Sequence, residues 1–206
     1  MTDETDFSRG DGRRRLAGRN FRAPSRVNMK QLENAALHYL RRFSSSSDSL
    51  RRVLMRRVLR STHYHGTDIG EATVWVDEVV ARMREKGFVN DRTFAEGRIK
   101  SLLAKGMPLR RVRVELRKKG VSDHVIDEVL DKYEEDLENI NFYAALSLAK
   151  RRRLGPFSTI LNDRKKREKD MSSLARAGFD LDIITRVMDI LKPVDLKVIL
   201  RAKLDW

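Results

Sequence analysis

The residue types that carry most enzyme chemistry are missing or isolated in this sequence. It contains no cysteine, which rules out disulfides, thiol nucleophiles and iron–sulfur clusters. Neither Gly-Lys-Ser/Thr nor GxGxxG occurs, so no phosphate-binding loop of those kinds is indicated. His63 and His65 are spaced as in some metal sites, but no further histidine or cysteine lies near them. A polar surface loop over residues 61–66 is therefore the favoured interpretation.

A group of carboxylates is the remaining candidate for acid–base chemistry. Asp127, Glu128 and Asp131 lie close together, but on the polar side of an amphipathic helical pattern. A solvated helix face is favoured over a catalytic role. The sequence therefore predicts a protein that is not an enzyme, with no catalytic residue, no metal site and no cofactor.

Positive charge is the chemistry that this sequence has in abundance. Lys and Arg number 44 among 206 residues, against 30 Asp and Glu, for a net charge of +14. Residues 41–60, 98–120 and 139–169 carry net charges of +6, +8 and +7, whereas residues 61–97 and 121–138 carry −3 and −7. A polyanionic partner is the favoured explanation, and a surface that only keeps the protein soluble is the alternative.

The candidate contact residues come from those three basic segments. Arg110, Arg113 and Arg117, here called the arginine stripe, recur at helical spacing, where like charges repel by a few tenths of a kcal/mol per pair. A bound polyanion would remove this repulsion. The alternative to partner contact is a solvated helix face with local ion pairs, such as Arg111 with Glu115. The charged run 163–169 is equally compatible with an anion contact and a solvated helix. The full set of candidate partner- and nucleic-acid-binding residues is Arg51, Arg52, Arg56, Arg57, Arg110, Arg111, Arg113, Arg117, Lys118, Lys119, Lys150, Arg151, Arg152 and Arg153.

The elements that position these cations are predicted to be helices. From about residue 29, apolar residues recur at spacings of three and four, without strand-like alternation. Segments that begin at Trp75, Val125 and Ile183 each have apolar residues at i, i+1, i+4, i+5 and i+8, which is one helix face. This repeat predicts an all-α, elongated and curved array of three tandem three-helix repeats. The repeats are placed at 29–88, 89–138 and 139–206, the third with a polar insertion.

The joints between helices also repeat. Gly120 and Gly178 are predicted to end helices in the left-handed conformation, and Ser122 and Asp180 to cap the helices that follow. Residues 1–28 are predicted to be a disordered basic tail, because they form no apolar face. A solvated leader and an arm that touches phosphates are equally open for this tail.

The chain offers no signal for a membrane or for export. No apolar stretch approaches the roughly 18 residues of a membrane span, and the N-terminus is acidic and polar. We expect a cytoplasmic monomer that does not engage a membrane.

Two motifs resemble the RecX family of bacterial regulatory proteins. The first is GFVNDRTFAE at residues 87–96, and the second is LRRVRVELRKKGV at residues 109–121. Residues 36–40 and 176–179 also fit, and the resemblance covers about residues 32–191. The chain departs from the family pattern at Asn90, where an acid is usual, and at insertions near residues 60–70 and 156–169.

The resemblance implies an all-α array of three repeats and a non-enzymatic modulator of the RecA recombinase. Such a protein would bind RecA and RecA filaments on single-stranded DNA, and would inhibit filament extension, ATPase activity and strand exchange. It would thereby regulate DNA repair, recombination and the SOS response, with single-stranded DNA as a further partner. The alternative is a helix-turn-helix-like regulator that acts directly on DNA, although its cations would be expected on one recognition helix rather than over three units.

Overall fold

Every regular element in the described part of the chain is helical. The computed structural model describes residues 25–159 and 163–190, and these contain no strand, so the predicted all-α class is confirmed. The α-helices are α1 Met29–Leu40, α2 Ser47–His65, α3 Ile69–Glu85, α4 Asp91–Ala104, α5 Leu109–Lys118, α6 Asp123–Leu130, α7 Leu137–Arg152, α8 Arg164–Ala177 and α9 Leu181–Met188. Short 3-10 helices cover Asp131–Asp136 and Gly155–Phe157.

The helices pack as three consecutive groups of three, each around its own apolar core. The first core lies among α1, α2 and α3, the second among α4, α5 and α6, and the third among α7, α8 and α9. The apolar positions of the predicted repeat form these cores: Val76 and Val79 in α3, Ile126 and Val129 in α6, and Val187 in α9 are all fully buried. The repeating helix face is thus confirmed, and it places the intervening polar residues outside.

The predicted joints are confirmed at three of their four residues. Gly120 and Gly178 have left-handed φ angles of 73° and 103°, and the Ser122 hydroxyl accepts a hydrogen bond from the amide of Val125 at 3.5 Å. The capping role predicted for Asp180 is wrong. This residue precedes α9, but its side chain makes no capping hydrogen bond because its carboxylate faces a guanidinium of α5 instead.

Two features predicted from the sequence differ from the structure in the first group of helices. The loop predicted over residues 61–66 is wrong, because α2 extends to His65 and ends only at Gly66, whose φ is 63°. The predicted tail extended to residue 28, but Val27 is buried and its amide donates to the Ser61 hydroxyl at 3.0 Å. Residues 1–24 of that tail lie outside the described residues.

The contact between the first two groups is polar. The hydroxyls of Ser46 and Ser49 both donate to the carbonyl of Lys119, which lies at the end of α5. The backbone amide of Ser47 donates to Asp91 Oδ1 at 2.7 Å. The start of α2 therefore satisfies a carbonyl at the end of α5, where a helix leaves its acceptors without partners.

The contact between the second and third groups is closer and includes apolar packing. Leu103 of α4 packs against both cores. Gly106, in the turn after α4, lies directly against the backbone of α7, and the amide of Leu109 donates to Asn141 Oδ1 at 3.0 Å. This junction fixes the end of α4 and the start of α5 beside α7.

Candidate functional site

The candidate contact residues lie on the outer faces of α2 and α5 and at the end of α7. Leu109, Val112 and Leu116 face the core of the second group, and this turns the arginines of α5 outward. Among all fourteen candidates, Arg51 and Arg113 are half-buried and the others are exposed. The structure thus distributes the cations over all three groups of helices.

Each arginine of the arginine stripe faces an aspartate of the same chain. The pairs are Arg110 with Asp180, Arg113 with Asp127, and Arg117 with Asp123. Carboxylates from α6 and from the start of α9 therefore offset the mutual repulsion that the sequence predicted. All six side chains retain substantial exposure, and exposed pairs of this kind contribute only about 0.2–1 kcal/mol each.

Two arginines of α2 are also paired. Arg51 donates to Asp77 of α3 at 2.6 Å, and this hydrogen bond raises the pKa of Arg51. Arg52 pairs with Asp48 one turn earlier and also donates to the carbonyl of Lys118 at 3.2 Å. These arginines therefore contribute to contacts within and between groups of helices.

The local pair suggested between Arg111 and Glu115 does not form. Glu115 accepts a hydrogen bond from Lys118 at 2.8 Å, which lowers the pKa of the Glu115 carboxyl. Arg111 instead crosses to the third group and donates to the carbonyl of Ala177 at 3.1 Å. Among the described residues, no carboxylate pairs with Arg111.

The remaining candidates form a set of cations without carboxylate partners in the described part of the chain. They are exposed, and they occur in all three groups of helices. The set is Arg56, Arg57, Arg111, Lys119, Lys150, Arg151, Arg152 and Arg153.

Part of this set converges on a cleft between the second and third groups, here called the junction cleft. It has a volume of about 370 Å³ and a floor of apolar side chains from α4, α7 and the turn before α5. Its cationic lining residues are Lys105, Arg111, Arg151, Arg152 and Arg176.

Sequence reasoning missed two of the cations in this cleft. Lys105 and Arg176 lie at or near the ends of α4 and α8, where basic residues are common because they complement the helix dipole. Their basic character alone therefore did not indicate a binding site. Only the docking of the second group on the third brings them together.

A second, wider cleft of about 620 Å³ lies between α1 and α2. Tyr39 and Phe43 form part of its wall, with their ring centroids 5.2 Å apart, and Arg42 and Arg57 also line it. Arg57, one of the candidate residues, thus borders an aromatic surface.

The described residues show no arrangement that would hold a metal ion. Within residues 25–159 and 163–190, no three His, Asp or Glu side chains cluster as metal ligands would. No helix within the same ranges combines the length and the apolar content of a membrane span.

Comparisons with known proteins give a consistent result. A family model described as "RecX, second three-helix domain" matches residues 90–130. The regulatory protein RecX of Myxococcus xanthus (strain DK1622) is 41% identical over 173 residues, which are 83% of this chain and 91% of the relative. The regulatory protein RecX of Halorhodospira halophila is 31% identical over 151 residues, or 73% and 82% of the two chains.

Solved structures share the fold. The crystal structure of RecX from Lactobacillus salivarius superposes with a TM-score of 0.56 at 23% identity, covering 79% of this chain and 97% of that one. A second crystal structure, of a regulatory protein RecX, gives a TM-score of 0.52 at 17% identity, covering 79% and 72%. The helical array described above is therefore the arrangement found in those structures.

Proposed function

The chain belongs to the RecX family of regulatory proteins, and from this premise we propose that it is a non-enzymatic modulator of the RecA recombinase. It binds RecA and RecA filaments on single-stranded DNA, and it inhibits filament extension, ATPase activity and strand exchange. The observation that supports this proposal best is the set of cations without carboxylate partners, which extends over all three groups of helices.

The distribution of charge suits a long, repetitive and negatively charged partner. A nucleoprotein filament presents phosphates along its length, and each neutralised phosphate releases counterions and favours binding. An array whose units all carry cations engages such a partner at several points at once, so modest individual contacts combine into a strong overall association.

The same distribution argues against sequence-specific reading of duplex DNA. A helix-turn-helix protein places one recognition helix in the major groove, with its base-contacting side chains near that helix's N-terminus. Here the exposed cations without carboxylate partners among the described residues include members of α2 and α5 and the end of α7, so they are not confined to one helix. We therefore propose that the protein contacts phosphates and RecA rather than reading the DNA bases. We also propose that it acts as a monomer in the cytoplasm.

Co-sedimentation tests the choice between these functions. The purified protein is mixed with RecA alone, with RecA assembled on single-stranded DNA, with single-stranded DNA alone, and with duplex DNA. We expect the largest bound fraction with the RecA filament and a smaller one with free RecA. Preferential binding to duplex DNA would favour the helix-turn-helix alternative, and binding to none of the four would leave only a helical scaffold.

A further inference from the structure

The junction cleft concentrates positive charge that no side chain of the described residues neutralises. Its cations are Lys105, Arg111, Arg151, Arg152 and Arg176, and no Asp or Glu is among the residues that line it. None of the five is within ion-pair distance of a carboxylate in the described ranges. The arginine stripe on the same helix α5 is the contrast, because each of its members has an aspartate.

Neutral acceptors hold two of these guanidinium groups in place. Arg111 donates to the carbonyl of Ala177 at 3.1 Å, and Arg152 donates to the hydroxyl of Ser173 at 3.3 Å. These hydrogen bonds orient the side chains without cancelling their charge. A guanidinium fixed in this way can still offer its remaining N–H donors to a phosphate, and loses less conformational entropy when it binds.

The shape of the cleft limits what can enter. Its volume of about 370 Å³ lies within the range of roughly 300–1,000 Å³ that is usual for small-ligand pockets. Leu102, Met107 and Leu148 contribute apolar surface to the lining, and Leu102 and Leu148 are buried, whereas the five cations are exposed. A site with an apolar floor and a cationic rim fits a sugar or base together with its phosphates.

We propose that the junction cleft is a direct binding site for the sugar–phosphate backbone of single-stranded DNA. The convergence of five cations in one concave site favours this ligand over an acidic protein surface, because a nucleic acid strand supplies one negative charge at every nucleotide. An unpaired strand also exposes sugars and bases that the apolar floor can contact, whereas a duplex keeps its bases stacked inside. The binding of single-stranded DNA by the cleft does not depend on the proposed function. Only the identification of this strand as the one inside a RecA filament rests on the proposed function.

The test compares two double variants with the same loss of charge. The cleft variant is Arg151→Gln with Arg176→Gln, two exposed residues without intramolecular ion pairs in the described ranges. The control is Arg82→Gln with Arg92→Gln, whose guanidinium groups pair with glutamates away from the cleft. Circular dichroism confirms that both variants remain helical. Binding of labelled oligo-dT, without RecA, is measured by fluorescence anisotropy over a series of salt concentrations.

The expected result is a loss confined to the cleft variant. Removing two phosphate contacts weakens binding roughly tenfold at fixed salt. It also reduces the slope of log K against log salt by about 1.4, since each contact with a single strand contributes about 0.7. The control keeps its affinity within about threefold, because its arginines already have carboxylate partners. Equal losses in the two variants would overturn the proposal.

A parallel assay of RecA's ATPase separates this proposal from the proposed function. If the cleft variant binds oligo-dT normally but no longer inhibits RecA, the cleft contacts the RecA protein and the DNA assignment is wrong, while the proposed function stands. If the unmodified protein binds oligo-dT through the cleft but has no effect on RecA, the proposed function fails and the cleft assignment stands.

Discussion

Replacing Gly106 by alanine is expected to damage the junction between the second and third groups of helices. Gly106 has a φ of +72°, and a β-carbon built on it would lie 2.6 Å from the amide nitrogen of Leu148 and 2.7 Å from the carbonyl oxygen of Ala144. Both are backbone atoms in the middle of α7, so no side-chain rotation can relieve the clash. The helix as a whole must move by roughly 0.8 Å to restore an ordinary contact of 3.4 Å.

The cost of this substitution has two parts. The left-handed conformation costs an alanine about 1 kcal/mol, and forcing an extra carbon into a packed contact costs about 1–3 kcal/mol. We therefore expect the free energy of unfolding to fall by about 3 kcal/mol. For a chain of this size, that corresponds to a decrease of roughly 6–12 °C in the unfolding midpoint.

Gly87→Ala is the matched control. Gly87 also follows the end of a helix and has a φ of +73°, but a β-carbon added there would have no atom within 4 Å. Only the conformational cost of about 1 kcal/mol applies, with a midpoint lowered by roughly 2–4 °C. Thermal unfolding followed by far-UV circular dichroism measures both variants. Equal destabilisation would refute the argument that backbone contact at Gly106 holds the junction together.

Three further predictions concern charged residues. Arg153→Gly should raise the midpoint of thermal unfolding by roughly 2–4 °C. Arg153 ends α7 in the left-handed conformation, with a φ of 55°, and a glycine there relieves about 1 kcal/mol of backbone strain. An unchanged midpoint would contradict this. Asp170→Ala should lower the free energy of unfolding, measured in urea, by about 2–3 kcal/mol. The reason is that this buried carboxylate pairs with Lys166 at 2.5 Å and accepts a hydrogen bond from the amide of Gly155 at 2.9 Å. A loss below about 1 kcal/mol would show that the pair is dispensable. Replacing the whole arginine stripe by alanine should leave inhibition of RecA and its salt dependence nearly unchanged, because each of these arginines is already paired with an aspartate of the same chain. Weaker inhibition with a salt slope lower by about 2 would show that the stripe contacts phosphates, and weaker inhibition with an unchanged slope would place it on RecA's protein surface.

The sequence was sufficient to predict the cores and the glycines that end helices at the joints. Val79, Val129 and Val187 occupy equivalent positions of a helical pattern that recurs along the chain, and burial of that pattern needs only local spacing to be recognised. Gly120 was equally predictable, because a left-handed helix end favours glycine wherever it occurs. The continuation of α2 through His63 was not predictable, because polar residues at the end of a helix and in a loop have the same composition.

The charge pairing could not be predicted from spacing along the chain. Arg110 meets Asp180 only because the second group of helices docks on the third, and the two residues are 70 positions apart. The junction cleft has the same origin, since Lys105 and Arg176 come from different groups. Helical periodicity places a cation on a surface, but only tertiary packing decides whether a carboxylate of the same chain neutralises it.

The DNA-dependent ATPase of RecA gives the most direct test of whether this protein blocks extension of RecA filaments. The purified protein is titrated into RecA on single-stranded DNA, and the rate of ATP hydrolysis is followed as filaments assemble. An agent that blocks filament extension affects many subunits beyond the one it touches, so we expect strong inhibition at amounts well below one molecule per RecA subunit. An undiminished rate at equimolar protein would contradict the proposed function.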